Sequence, residues 1–264
     1  MLIIGEKLNS SVPSAQKAFQ EMDADYIKNM ALRQTDCGAD YLDLNAGMFA
    51  DETEKLIWAA EQVQSVCKTP LVLDSVNPAA IAAVLKRLEL ERPIINSITL
   101  EPARFEGMLP LVQQAGAGVI ALPMDENGIP KDAERRVENA RRVIARLEEN
   151  GVGQDRIYID LIVEALSTDS GAAVHSLKAA AQLRAEYPDV HLVGGMSNVS
   201  FGLPKRRYVN AAFLAAAVCA GLDAAIMDVT STEAKMALLA AELVGGRDEF
   251  CMEYLSGYRE TQKD

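Results

Sequence analysis

Ser197-Asn198-Val199-Ser200 places an amide and two hydroxyls directly after an apolar run, Leu192-Val193-Gly194-Gly195-Met196. Such a run suits a buried strand. In parallel α/β folds, ligands bind just past the carboxyl ends of strands. The chemistry on offer here is hydrogen bonding, since the cluster has neither carboxylate nor imidazole. Gly194 and Gly195 allow another backbone or a flat ligand to come close. A plainer reading competes on even terms: Ser-Asn caps the next helix.

The pattern recurs along the chain. Polar residues follow short apolar runs at Glu6 and Asn9, Asp43 and Asn45, Asp74 and Ser75, Asn96, Asp125, Asp160 and Asp228. Taken singly, each reads as a turn or a helix cap, and for Asp43, Asn45, Asp125 and Asp228 that reading is favoured. Together they form a set that one barrel mouth can gather. No lysine follows a strand in the manner of a Schiff-base enzyme. Nothing in the spacing fixes a metal site, and none is expected.

The elements that would position this set alternate regularly. Strands are expected at Leu2–Gly5, Tyr41–Asn45, Leu71–Leu73, Ile94–Ile95, Gly118–Leu122, Ile157–Ile159, from Leu192, and at Ala224–Met227. Helices fit at about 23–36, 51–67, 77–88, 105–115, 130–149, 171–186, 209–220 and 232–244. The stripe Val137, Ala140, Ile144 and Leu147 has helical spacing, and Asn150-Gly151 stops that helix. Cys37-Gly38-Ala39-Asp40, Ala115-Gly116-Ala117-Gly118 and Cys219-Ala220-Gly221-Leu222-Asp223 each join a helix to a strand. Eight such units predict a (β/α)₈ TIM barrel spanning residues 1–264 as one domain, with a doubly wound open sheet as runner-up.

Composition narrows the partners. The 49% hydrophobic and 24% charged residues suit a soluble globular chain. A net charge of −12, from 26 Lys and Arg against 38 Asp and Glu, disfavours nucleic acid and anionic membranes. The stretch before Glu6 is too short for a signal peptide, and no apolar run is long enough to cross a membrane. Cys37, Cys67, Cys219 and Cys251 form no C-x-x-C pair. A cytoplasmic location is expected. With only His175 and His191, most hydrolytic triads and His-rich metal sites are disfavoured.

Two motifs mislead. Gly116-Ala117-Gly118-Val119-Ile120-Ala121 matches the dinucleotide pattern, but a helix precedes it and a strand follows, the reverse of what a pyrophosphate site needs. Asp189-Val190-His191-Leu192-Val193-Gly194 matches the D-x-H-x-x-G of base-off cobalamin domains. Here those letters lead into a strand, and His191 reads as a residue at its lower end.

A ligand that suits acids and amides, few cations and close backbone approach is a neutral heteroaromatic rich in N–H donors. A pterin is one: a carboxylate accepts from its 2-amino group and N3–H, and amides serve the other edge. At this point the chain resembles the methyltetrahydrofolate:corrinoid protein methyltransferases, which share the pterin-binding barrel of the folate domain of cobalamin-dependent methionine synthase. The resemblance rests on Ile4-Gly5-Glu6-Lys7-Leu8-Asn9, Leu42-Asp43-Leu44-Asn45, Leu73-Asp74-Ser75, Ile95-Asn96-Ser97, Gly128-Ile129-Pro130-Lys131-Asp132, Tyr158-Ile159-Asp160, Met196-Ser197-Asn198-Val199-Ser200 and Gly221-Leu222-Asp223-Ala224-Ala225-Ile226.

The resemblance implies that Asp74, Asn96 and Asp160 bind the pterin edge and that Asn198 hydrogen-bonds near N5, which bears the methyl group. It puts Arg206 near the site, with Glu6, Asn9, Gly195 and Ser197 in the lining. Phe201 stands where relatives carry Gln. Tetrahydrofolate or 5-methyltetrahydrofolate is then the substrate, and the corrinoid is carried by a separate partner protein. Such enzymes are homodimers, and relatives in O-demethylase, methylamine or betaine systems run the reaction towards tetrahydrofolate. Two alternatives stay open: a dihydropteroate synthase, for which Lys205-Arg206-Arg207 imitates a pyrophosphate cluster, and a non-catalytic folate-binding subunit.

Overall fold

The structure, a computed structural model, describes residues 1–261. Eight parallel strands close into a barrel in chain order: β1 (Leu2–Asn9), β2 (Tyr41–Asn45), β3 (Leu71–Asp74), β4 (Ile94–Ile98), β5 (Gly118–Ala121), β6 (Ile157–Asp160), β7 (His191–Gly195) and β8 (Ala224–Met227), with β8 paired back onto β1. The open-sheet alternative is therefore excluded. One or two helices follow each strand: α1 (Pro13–Glu21), α2 (Ala24–Asp36), α3 (Glu52–Gln64), α4 (Pro78–Arg87), α5 (Pro102–Ala115), α6 (Ala133–Glu149), α7 (Ala172–Glu186), α8 (Arg206–Cys219) and α9 (Thr232–Val244). A tenth, α10 (Met252–Glu260), packs on α9. The sequence reading passes over α1 and α10. Neither has a side-chain N-cap, which removes the strongest local start signal.

Two apolar layers hold the barrel. The inner one is Ile4, Tyr41, Val72, Ile94, Ile120, Tyr158, Val193 and Ala224, one residue from each strand. The outer layer packs outward-facing strand residues such as Leu42, Leu73, Ile95, Val119, Ile159 and Leu192 against the helices. Each fully buried aliphatic side chain contributes about 1.5–3 kcal/mol. In α6, Val137, Ala140, Ile144 and Leu147 face this layer as their spacing predicts, and the Asp132 side chain caps the first turn through Arg135 N.

Strand alternation then dictates the mouth. Two residues beyond the inner layer, the next inward positions are Glu6, Asp43, Asp74, Asn96, Leu122, Asp160, Gly195 and Ile226. Five of these eight are polar or acidic. The repeated helix-to-strand joints are built as expected, with Gly38 at φ +95° and Gly221 at φ +110°, where a side chain would be strained.

One irregularity changes the pattern. In the β1–β2 pairing, Gly5 faces Leu42 and Leu8 faces Leu44, so β1 carries one extra residue. The bulge returns Leu8 to the outer layer and swings Asn9 to the inside. Gln34 fills the space beside it: its Oε1 accepts the Lys7 N–H at 2.9 Å, and a Cβ at Gly5 would collide with that oxygen.

Candidate active site

The acids at the mouth are wired together by amides. Asn9 Nδ2 donates to Asp43 Oδ2 at 2.9 Å and to Asp74 Oδ2 at 3.3 Å. Asn45 donates to the Asp74 carbonyl at 3.1 Å, while its own oxygen accepts from the Ser10 hydroxyl at 2.8 Å and Gly47 N at 2.9 Å. Asp43 is therefore no loop turn, contrary to the reading its sequence favours. It is a buried strand residue, and its Oδ1 has no partner among the described residues.

Burial raises the Asp43 carboxyl well above the usual carboxylate range, and the Asp74 charge adds to the push against the Asn9 hydrogen bond. Burial also pushes Asp74 up to about 6, against hydrogen bonds from Asn45 and Asn9 and the nearby Arg104 cation. Two like charges so close resist ionising together, which adds to the upward push on the deeper acid, Asp43. Arg104 itself donates to the Ser97 carbonyl and hydroxyl, both at 3.1 Å.

Asp160 closes this side of the ring. Its Oδ1 accepts the Ile162 N–H at 2.6 Å. Burial raises its carboxyl to about 6, while the Ile162 N–H and Arg136 pull down and Asp74 pushes up. Asn96 lies on β4 at the inward position next to Asp74. Its side-chain amide has no hydrogen-bond partner in the chain among the described residues, so both its donor and its acceptor are free for a ligand.

Residues 196–200 form a single 3₁₀ turn after β7, and α8 begins only at Arg206, with Lys205 at its N-cap. Asn198 thus caps no α-helix. Its exposed side chain folds back over Gly195, where an added Cβ would stand 2.9 Å from Asn198 Nδ2. Gly194 plays a different part from the one its sequence suggests: it packs outward, where a Cβ would come within 3.1 Å of Val163 and Met196. Ser197 donates to Glu6 Oε2 at 3.0 Å. Burial raises the Glu6 carboxyl, opposed by the Ser197 bond. Arg206 fixes the turn from outside, donating to the Ser197 carbonyl at 2.6 Å and to Ser200 Oγ at 3.0 Å. Phe201 is exposed, with the Arg206 guanidinium 5.7 Å from its ring centre.

The remaining candidates have partners of their own. Asp228 pairs with Lys7 at 2.6 Å and accepts from Thr230. Asp125 clamps the loop before α6 through Asn127, Arg135 and Arg142. Ser75 donates to Glu52 at 2.6 Å. His191 lies at the opposite end of the barrel, stacked on Tyr158 at 4.5 Å and 2.9 Å from Asp223. Gly116 terminates α5 and Gly118 starts β5, so the dinucleotide pattern is a helix-to-strand joint. Of the basic run 205–207, Arg207 pairs with Glu233 at 3.2 Å. Among the described residues no group of three His, Cys, Asp or Glu could hold a metal ion.

What the arrangement can do is read a flat, N–H-rich ring. Carboxylates at Asp74 and Asp160 and the free amide of Asn96 line one side, and the free amide of Asn198 lies above Gly195 on the other. The sequence reading misses Asn9 as the bridge between two acids, since a bulge brings it there. It also misses Arg136, a fully buried cation on α6. A signal for Arg136 does exist: it stands four residues before Ala140, on the helix's apolar stripe.

Comparison with known proteins agrees with this geometry. A profile of the family described as "Pterin binding enzyme" matches residues 5–228. The chain is 34% identical over 263 residues to the methylcorrinoid:tetrahydrofolate methyltransferase of Eubacterium limosum, covering 98% of this chain and 97% of that protein. It is 33% identical over 244 residues to methionine synthase of Mycobacterium tuberculosis, covering 86% of this chain and 20% of that much longer protein. Among solved structures, dihydropteroate synthase of Coxiella burnetii in complex with pteroic acid superposes with a TM-score of 0.70 at 16% identity, over 92% of this chain and 93% of the other. Dihydropteroate synthase of Xanthomonas albilineans with 4-aminobenzoic acid gives 0.70 at 20% identity, over 92% of each chain. The two synthases share the fold. The profile match and the full-length relative decide the family: the chain belongs to the pterin-binding enzymes.

Proposed function

We propose that this chain is a methyltransferase that moves a methyl group between N5 of tetrahydrofolate and the cobalt of a corrinoid held by a separate protein. The observation that carries the reading is Asn198: an exposed amide at the mouth, uncommitted to any helix or side chain among the described residues, beside a ring of pterin-reading groups. The corrinoid supplies the metal that takes or gives the methyl. The chain's task is to hold the pterin and tune N5. Asp74 and Asp160 accept from the 2-amino group and N3–H, with Asn96 on the neighbouring edge. Asn198 turns either its amide N–H or its carbonyl to N5, so it serves N5 with or without a proton.

That the full-length relative is named for this reaction supports the reading. The fold likeness to dihydropteroate synthase does not by itself favour that activity, and Arg207 of the basic run is paired with Glu233. The chain is proposed to work as one barrel domain in the cytoplasm and as a homodimer. The exposed Phe250, Met252, Leu255 and Tyr258 at the end of the chain give apolar surface for the second copy.

A methyl-transfer assay with free cob(I)alamin and 5-methyltetrahydrofolate, followed by the change in corrinoid absorbance, tests the function. Turnover supports it. Tight folate binding with no transfer in either direction would leave a binding subunit, and pteroate formation from pterin pyrophosphate and 4-aminobenzoate would make it a synthase.

A further inference from the structure

Among the described residues, Arg136 is the largest side chain that is fully buried. It stands on α6 facing the loop that follows β6. Its Nη1 donates to the Leu161 carbonyl at 2.9 Å, the Ile162 carbonyl at 2.7 Å and Ser176 Oγ at 2.9 Å. Its Nη2 pairs with Glu164 Oε2 at 2.7 Å, and its Nε reaches the Pro130 carbonyl at 3.3 Å. One guanidinium therefore ties α6, α7 and the loop from Leu161 to Glu164 together.

What that loop does is hold Asp160. The Ile162 N–H donates to Asp160 Oδ1 at 2.6 Å, and Ile162 makes this bond at φ +48°. A buried β-branched residue rarely adopts that backbone conformation, which persists only where its surroundings fix it. The surroundings here are the two Arg136 bonds to the carbonyls on either side of the Ile162 nitrogen. A core Leu or Met at position 136 would fill the same space and leave those carbonyls unpaired.

We infer that Arg136 is a positioning residue for the pterin site: it fixes the Leu161–Glu164 loop so that the Ile162 N–H aims the Asp160 carboxylate at the pterin edge. The inference rests on the proposed reading of Asp160 as a pterin contact. The charged groups around Asp160 are Arg136 from α6 and Asp74 from β3, and Arg136 is itself faced by Glu164 and Asp169. Arg136 is the cation of the set, and Glu164 partly neutralises it.

The test is the pH dependence of tetrahydrofolate binding by the full chain, measured by calorimetry on Arg136→Met, Glu164→Gln and Asp160→Asn. In Arg136→Met, the acid limb of binding should move up by about one pH unit, and affinity at pH 7 should fall by about tenfold or more. Glu164→Gln leaves the guanidinium in place and removes its counter-charge, so its acid limb should move down. A staple with a purely structural role predicts lower unfolding midpoints in both variants and the wild-type acid limb in both. That result, or shifts of the same sign in the two, overturns the inference. Should Arg136→Met fail to fold, the downward shift in Glu164→Gln stands as the deciding measurement. Asp160→Asn separates the role of Asp160 from that of Arg136. If it binds folate as the wild type does, Asp160 is not in the site and both readings fall. If it loses binding while the other two variants keep the wild-type acid limb, the role of Arg136 alone is wrong.

Discussion

Glu6 and Ser197 lie 191 positions apart in the chain and 3.0 Å apart at the barrel mouth. The bond joins β1 to the turn after β7 and reaches across β8. It commits the Ser197 hydroxyl to Glu6 and leaves Asn198, the next residue, as the free polar group of that turn.

Ser197→Ala should therefore act on the turn and not on the pterin. It leaves a half-buried carboxyl without its donor, which costs about 1–2 kcal/mol of stability. Folate affinity should stay within about threefold of wild type, since no pterin contact is removed. Urea unfolding and folate titration on the one variant check both. A collapse of folate affinity with unchanged stability would place Ser197 in direct contact with the ligand.

Asn198→Ala removes the proposed partner of N5. Loss of one preorganised donor typically costs about 2.7–4 kcal/mol of transition-state stabilisation, or roughly a hundred- to a thousandfold in kcat. Because α8 starts at Arg206 and is not capped by Asn198, the unfolding midpoint should not move. Steady-state kinetics beside thermal unfolding decide the matter. Wild-type turnover in a stable variant would remove Asn198 from the chemistry.

Asp160 carries opposite expectations for binding and for stability. Asp160→Ala should weaken tetrahydrofolate binding by about 2–4 kcal/mol, as a charge-assisted pair and its buried partners are lost. The free protein behaves differently. The Asp160 and Asp74 carboxyls are raised to about 6 from 3.8, so the folded state holds protons that the unfolded chain has already released. The stability these two groups contribute is fully present below pH ~4 and is lost as pH rises through about 6. Asp160→Asn, which keeps the acceptor for Ile162 N–H, should then stabilise the ligand-free protein at pH 8 by about 1–3 kcal/mol while impairing folate binding. Unfolding free energies of both proteins at pH 4.5 and pH 8 give the comparison. A variant destabilised equally at both values would contradict a raised Asp160 carboxyl.

His191 bears on the corrinoid. It is stacked on Tyr158 and bonded to Asp223 at the end of the barrel away from the acids. The protein mixed with cobalamin and desalted should carry no corrinoid absorbance, and His191→Ala should change stability alone. Stoichiometric cobalamin that is lost in His191→Ala would mean that the D-x-H-x-x-G letters do ligate cobalt here.

Much of this site is legible in the amino-acid sequence. Strand alternation is a local property, so Asp74, Asn96 and Asp160 at the ends of apolar runs have to point inward once the runs are strands. The barrel follows from eight repeats of one local pattern, and glycines at several helix-to-strand joints mark the repeat. What local pattern does not show is where alternation breaks. The bulge in β1 accompanies the packing of Gln34, a residue of α2, against Gly5, and it carries Asn9 to Asp43 and Asp74. Nor does local pattern show protonation. Asp43 reads as a turn residue by type, and its carboxyl is raised only because closure of the sheet buries it beside Asp74. Arg136 is one more helical arginine until the loop after β6 folds over it and leaves it as the donor for three carbonyls. The sequence by itself determined which residues face the barrel axis wherever the alternation is unbroken, because side-chain direction repeats every two residues along a strand. Only the tertiary structure decided which of those groups are bridged, shifted in acidity or held, because these depend on distances between residues far apart in the chain.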